Sequence, residues 1–240
     1  MRSEIMSRRA ALALAASLAL SGPAWAQTAP PPARIGIVGA GNIGGTLGGL
    51  WAKAGHEVMV SSRHPEELKG LVESLGPKAR AGTPAEAIAF GDVVLIAVPY
   101  KAYPQLTADH GAALQGKTVI DAGNATEARD GAVYAEVKES GIAAVSAKYL
   151  RGARIVRAFN AANYKVFAKN SNRDGARMAI PMAGDDAEAL ATVSKLVTDA
   201  GFDPVIVGPL AKADGFAMGS PGFGHDLTAP ELSTRLGVTR

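Results

Sequence analysis

One stretch constrains this chain more than any other. The apolar run Arg34-Ile35-Gly36-Ile37-Val38 meets Gly39-Ala40-Gly41-Asn42-Ile43-Gly44, and the chain then passes into the helix-prone TLGGLWAKA. G-x-G-x-x-G alone is a weak signal. Placed between a strand and a helix it becomes specific, because each glycine then has a task. Gly39 permits the tight turn, Gly41 lets the backbone approach a pyrophosphate, and Gly44 lets the helix lie close to the strand. The backbone N–H groups opening the helix at Asn42 and Ile43, with the positive end of its dipole, suit phosphate oxygens.

The rest of the chain repeats the same alternation. Strands are predicted at Arg34–Val38, His56–Ser61, Asp92–Val98, Gly116–Ala122, Ala153–Phe159, Met178–Ala183 and Pro204–Val207. Helices are predicted at Asn42–Ala54, Pro65–Leu75, Pro84–Phe90, Ile142–Leu150 and Asp185–Ala200. DVVLIAV, apolar throughout, suits a central parallel strand buried on both faces. The alternation predicts an α/β fold, a Rossmann-type doubly wound and mostly parallel sheet in one domain, 34–210. Residues 211–240 form a tail rich in Gly and Pro, expected to be irregular.

An NAD site places an acid at the end of the second strand, where it holds the ribose hydroxyls. This chain has Ser61-Ser62-Arg63-His64 there instead. A hydroxyl pair and a guanidinium suit a 2′-phosphate, so the expected cofactor is NADP(H).

Residues 1–26 stand apart. Arg8 and Arg9 precede the apolar run Ala10–Leu20, and Ala24-Trp25-Ala26 carries small residues where a signal peptidase reads. Ser7-Arg8-Arg9 before a weakly apolar segment suits the twin-arginine route, which exports folded proteins. The expected location is therefore the periplasm, reached with the nucleotide already bound. Gln27–Ala33 is a proline-rich spacer. With 25 basic and 22 acidic residues the chain carries a net charge of +3. Removing the leader would leave about +1, which argues against a nucleic-acid partner. No later segment is apolar enough to span a bilayer. There is no cysteine, and the four histidines show no metal-ligand spacing. Disulfides, thiol nucleophiles and cysteine-held clusters are excluded, and no metal is expected.

The strings GAGNIG, SSRHPEEL, AVPYKAYPQL, GKTVIDAGNATE, RIVRAFNAANYKVF, RDGARMAIPMAGDDAEA and AGFDPVIVGPL follow one another in an order that resembles the NADPH-dependent reductases of the deazaflavin coenzyme F-420. The chain is also similar to the oxidoreductase domain of the six-transmembrane metalloreductases. The resemblance runs from about Ile35 to Leu210. Its first segment also looks like the nucleotide domain of pyrroline-5-carboxylate reductases. It implies that Val98-Pro99 passes the nicotinamide ribose, that Asn124 binds the carboxamide or ribose, and that Phe159-Asn160 faces the nicotinamide or a second ring. It further implies hydride transfer between NADP(H) and a flavin or deazaflavin acceptor, with no obligatory catalytic side chain. Two alternatives stay open: a reductase of a small C=O or C=N substrate, and a non-catalytic NADP(H)-binding sensor. A small-molecule electron acceptor is the expected partner, and a homodimer is compatible.

Overall fold

Two runs, Ile35–Val38 and Val93–Ile96, are too apolar to lie anywhere but inside, and Thr118–Asp121 is buried with them at every position. They form the middle of one sheet. The computed structural model describes residues 32–238; the leader 1–26 and residues 27–31 of the spacer lie outside that range. Among the described residues the strands are β1 (Arg34–Val38), β2 (Glu57–Ser61), β3 (Ala79–Gly82), β4 (Val93–Ile96), β5 (Thr118–Asp121), β6 (Arg154–Arg157), β7 (Ala179–Gly184) and β8 (Asp203–Gly208). Their spatial order is β3-β2-β1-β4-β5-β6-β7-β8. All neighbours run parallel except β6 and β7, so β7 and β8 point the other way. The doubly wound α/β sheet expected from the sequence is the architecture found.

The helices are α1 (Asn42–Lys53), α2 (Lys69–Leu75), α3 (Pro84–Phe90), α4 (Tyr103–Leu114), α5 (Glu127–Ser140), α6 (Ile142–Tyr149), α7 (Tyr164–Asn170), α8 (Ala187–Asp199) and α9 (Ala229–Leu236). Local chemistry starts several of them. Thr83 and Glu86 form a reciprocal capping box ahead of α3, and Asp186 accepts from the Ala189 N–H to open α8. One core lies on the α1 and α8 side of the sheet. There Trp51 of α1 donates its indole N–H to the Leu196 carbonyl of α8 at 2.8 Å, which locks the two helices together. The other core, on the α4 and α6 side, holds Tyr100, Tyr103, Leu114 and Ile142. Among the described residues no helix is long and apolar enough to cross a membrane.

The structure adds elements that the sequence pattern did not predict: β3, α4, α5 and α7. It also corrects the irregular tail. Leu210–Phe216 forms a 3-10 helix with Leu210, Ala213 and Phe216 buried, and α9 sets Leu232 against Ala179 and Val205. The Ala179 N–H donates to the Leu227 carbonyl at 2.8 Å. The described part of the C-terminal segment is therefore packed onto the sheet.

Candidate functional site

The carboxyl ends of the parallel strands, where ligands sit in open α/β folds, carry two adjoining cavities. One, of about 730 Å³, lies over the glycine turn and the end of β2. The other, of about 680 Å³, lies over the ends of β5 and β6. Val98 and Pro99 line both, so the two chambers meet at the chain leaving β4.

The glycine turn separates into structural and ligand-facing parts. Gly39 has φ +109°, and a Cβ there would stand 2.6 Å from the Ala97 carbonyl oxygen. A Cβ on Gly44 would stand 1.9 Å from the Gly39 carbonyl oxygen. These two glycines are required by the protein itself. Gly41 is different: its φ of −76° suits any residue, and a Cβ would meet no atom within 4 Å. A methyl group there would project into open space in front of α1. That helix has no side-chain cap and no acid in its first turn, so the N–H groups of Asn42, Ile43 and Gly44 lack intrahelical partners. The cradle fits a pyrophosphate.

At the end of β2 the three candidate residues part company. Ser61 is buried, and its hydroxyl donates to the Ile37 carbonyl at 2.8 Å, tying β2 to β1. Ser62 accepts from the His64 N–H at 3.1 Å, and Arg63 is exposed at the cavity wall. Of the three, Ser62 and Arg63 are the ones open to the cavity. Lys101 and His110 also line this chamber, with Asp109 as its one acid among the lining residues. The balance suits an anionic nucleotide.

Three residues expected to face the ligand line the second chamber. Asn124 donates from Nδ2 to the Asn160 carbonyl at 2.6 Å and accepts at Oδ1 from the Met218 N–H at 3.3 Å. Both ends of its amide are engaged by protein, so Asn124 clasps the C-terminal segment to the strand edge. Phe159 has φ +60°, a left-handed conformation that bulky residues rarely adopt. Its ring is fully buried, edge-on to Trp51, Phe167 and Phe202 at 5.8, 5.8 and 6.2 Å. The ring expected against the nicotinamide is therefore the floor beneath the chamber. Asn160, also buried, donates to the Phe216 carbonyl at 3.3 Å, and its Oδ1 has no partner among the described residues. An orphaned acceptor at a chamber wall fits a ligand that brings an N–H. Met218, Phe223 and Gly224 complete the wall, with the Gly224 N–H bonded to the Ala161 carbonyl at 2.7 Å.

Beneath this edge lies a polar cluster absent from the sequence reading. Asp121 and Arg157 face each other in register across β5 and β6, both fully buried, with Nη1 and Oδ2 2.7 Å apart. Tyr100, Tyr103 and Ser146 place their hydroxyls 3.0, 2.7 and 2.6 Å from the same carboxylate. Arg157 Nη2 donates to the Gly123 carbonyl at 2.6 Å, and the Gly123 N–H donates to Asp121 at 3.0 Å. The cluster holds the turn that carries Asn124. Tyr100 and Tyr103 stack with centroids 4.2 Å apart, so close under Gly123 that a Cβ there would meet Tyr100 at 2.5 Å. Burial first, and then the Asp121 charge, push both phenols far above the usual tyrosine range, although Arg157 opposes this. Burial, the largest single influence, would lower the Arg157 pKa; the Asp121 charge and hydrogen bond together with Tyr100 and Tyr103 outweigh it, and the guanidinium stays protonated. Tyr100, Tyr103 and Arg157 therefore keep their protons near neutrality and act as a fixed scaffold.

Residues 34–125, the glycine turn and the strands around it, match the family described as NADP oxidoreductase, coenzyme F420-dependent. Over that stretch the chain is similar to this family of NADP oxidoreductases. It is 31% identical over 182 residues to the metalloreductase STEAP3 of Rattus norvegicus; the match takes in 75% of this chain and 35% of that protein, so the chain spans about a third of its relative. Among solved structures it is similar to the hypothetical protein SMa0349 from Sinorhizobium meliloti, with TM-score 0.70 and 27% identity over 82% of this chain and 96% of that one. It shares its fold with a candidate F420-dependent NADP reductase from Arthrobacter sp. FB24, with TM-score 0.63 and 21% identity over 82% and 99% of the two chains.

Proposed function

We propose that the protein transfers hydride between NADP(H) and a flavin or deazaflavin acceptor. The observation that carries this reading is the lining of the second chamber. Ile43, Ala97, Val98, Pro99, Ala162, Val166, Met218 and Phe223 give it apolar walls, and no carboxylate, histidine or lysine is among its lining residues. Transfer between two stacked rings needs positioning and exclusion of water, and no obligatory side-chain acid or base. In this reading the nucleotide supplies the hydride. Gly41 and the first turn of α1 hold its pyrophosphate, Ser62 and Arg63 its 2′-phosphate, and Val98-Pro99 the backbone between the chambers. Asn160 orients the carboxamide through its unpartnered Oδ1.

Single-turnover mixing of NADPH-loaded protein with FMN, FAD or a deazaflavin tests the proposal. Loss of nicotinamide absorbance coupled to ring reduction supports it; failure to reduce every one of these acceptors refutes it. A carbonyl or imine substrate is the second reading, and it needs a proton donor. Tyr164, half-buried, is among the residues lining the same chamber. Tyr164→Phe should leave ring reduction intact and would abolish carbonyl reduction. We also propose twin-arginine export on the strength of Ser7-Arg8-Arg9. Replacing both arginines by lysine should hold the precursor in the cytoplasm, and normal export of that variant refutes this route.

A further inference from the structure

The acceptor chamber is neutral except at one point. Arg129, in the first turn of α5, is the one charged side chain among its lining residues. Its Nε lies 3.2 and 3.0 Å from the two carboxylate oxygens of Asp130, and its Nη2 lies 2.9 Å from Oδ2 and also donates to the Asn124 carbonyl. Asp130 is itself immobilised. Its side chain is fully buried and accepts from the Thr126 N–H at 2.7 Å and the Lys101 N–H at 3.0 Å. One edge of the guanidinium is therefore clamped. Among the described residues Nη1 has no protein partner, and the side chain is 43% exposed.

A guanidinium fixed on one edge and open on the other has little rotamer freedom left to lose, so its remaining N–H groups bind a planar or tetrahedral anion at reduced entropic cost. Apolar walls do not need such a group, and an uncharged ring gains nothing from it. We infer that Arg129 selects an acceptor with an anionic tail, and that the class of acceptor is a phosphorylated flavin-type ring. The ring lies against Met218 and Phe223, and the phosphate reaches Arg129 at the rim. This rests on the hydride-transfer reading and specifies its second substrate. The carboxylate behind the guanidinium screens part of its charge, so the preference should be moderate, about tenfold, at the low end for hydrogen bonds to charged groups.

The experiment titrates NADP⁺-loaded protein with FMN and with riboflavin, following quenching of flavin fluorescence. The parent should bind FMN about tenfold more tightly, and the preference should shrink as salt rises, because a half-exposed pair is screened. In Arg129→Met the preference should vanish, with riboflavin and NADP⁺ affinities unchanged. The same pair of titrations with a phosphorylated and a dephosphorylated deazaflavin distinguishes the two ring systems. Equal FMN and riboflavin affinities in the parent overturn the inference and leave hydride transfer to flavins standing. A variant that loses NADP⁺ affinity overturns it too, by assigning Arg129 to the nucleotide. Absence of binding by any flavin or deazaflavin overturns the inference together with the function on which it rests. The salt series on the parent needs no variant, and a salt-independent FMN preference would overturn the role of charge.

Discussion

Asp121→Asn is the sharpest probe of the scaffold under the cleft. Five donor groups surround the carboxylate. Tyr100, Ser146 and Arg157 lie 3.0, 2.6 and 2.7 Å from Oδ2, and Tyr103 and the Gly123 N–H lie 2.7 and 3.0 Å from Oδ1. An amide at this position must turn its NH₂ toward one of these sets of donors. Whichever way it turns, N–H faces O–H or N–H, and Arg157 loses its counter-charge. Both partners are fully buried, so solvent relieves little of this. Breaking a buried pair by removing one charge costs about 3–5 kcal/mol, against a typical total stability of ~5–15 kcal/mol. Urea unfolding of the full chain, analysed by linear extrapolation, should report a loss in that range. The double variant Asp121→Asn/Arg157→Met removes the stranded charge and should recover part of the loss, giving a coupling energy well above the ~0.5 kcal/mol scatter of independent sites. A single-variant loss below about 1 kcal/mol, or additive behaviour of the pair, would refute the view that these charges depend on each other.

Three further outcomes are expected. Gly41→Ala should leave thermal stability nearly unchanged, since its Cβ meets nothing, yet weaken NADPH binding; Gly44→Ala should unfold the domain, its Cβ lying 1.9 Å from a carbonyl oxygen. Calorimetry and nucleotide titration separate the two. Arg63→Ala should weaken NADPH binding by about 1.5–3 kcal/mol and leave NADH binding almost unaltered; equal losses would remove Arg63 from 2′-phosphate recognition. For Asp130, burial raises the pKa, but the Arg129 bonds and the Thr126 and Lys101 N–H groups outweigh it and hold the carboxyl below its ordinary value. A depressed folded pKa gives stability that is fully present above the unfolded value of about 4 and is lost as pH falls through the folded one. Asp130→Asn should therefore flatten the acid limb of a stability–pH curve below about pH 4, and an unchanged limb would contradict the assignment.

What the sequence made legible was local in the chain. The glycine turn adjoins its strand and its helix, and Ser62-Arg63 follow β2 directly, so neighbouring residues carry the signal. Asp121 and Arg157 were invisible as a pair, because each reads as a polar strand end until β5 and β6 are set in register. Phe159 read as a cofactor-facing ring; only its left-handed backbone shows that the ring turns into the core. β3, Ala-Arg-Ala-Gly, has no β-branched residue to mark it, and α5 buries little besides Asp130 and Val133, so its pattern is polar. The tail carries a local signal of its own. Thr228-Ala229-Pro230-Glu231 is a capping-box sequence with proline in the first turn, and it opens α9.

The single antiparallel junction in the sheet also has a consequence for the order of assembly. Because β7 and β8 run against their neighbours, β8 ends at the edge away from the cleft, where the Leu210 N–H meets Asp185 at 2.9 Å. The 3-10 helix that follows returns to the cleft edge, delivering the Phe216 carbonyl to Asn160 and the Met218 N–H to Asn124. On a chain synthesised from its amino end, the phosphate cradle and the end of β2 emerge long before this wall does. The residues of the nucleotide half thus precede those of the acceptor wall along the chain. The cradle for the nucleotide and the wall of the second chamber are supplied by separate stretches of chain, the first preceding the second.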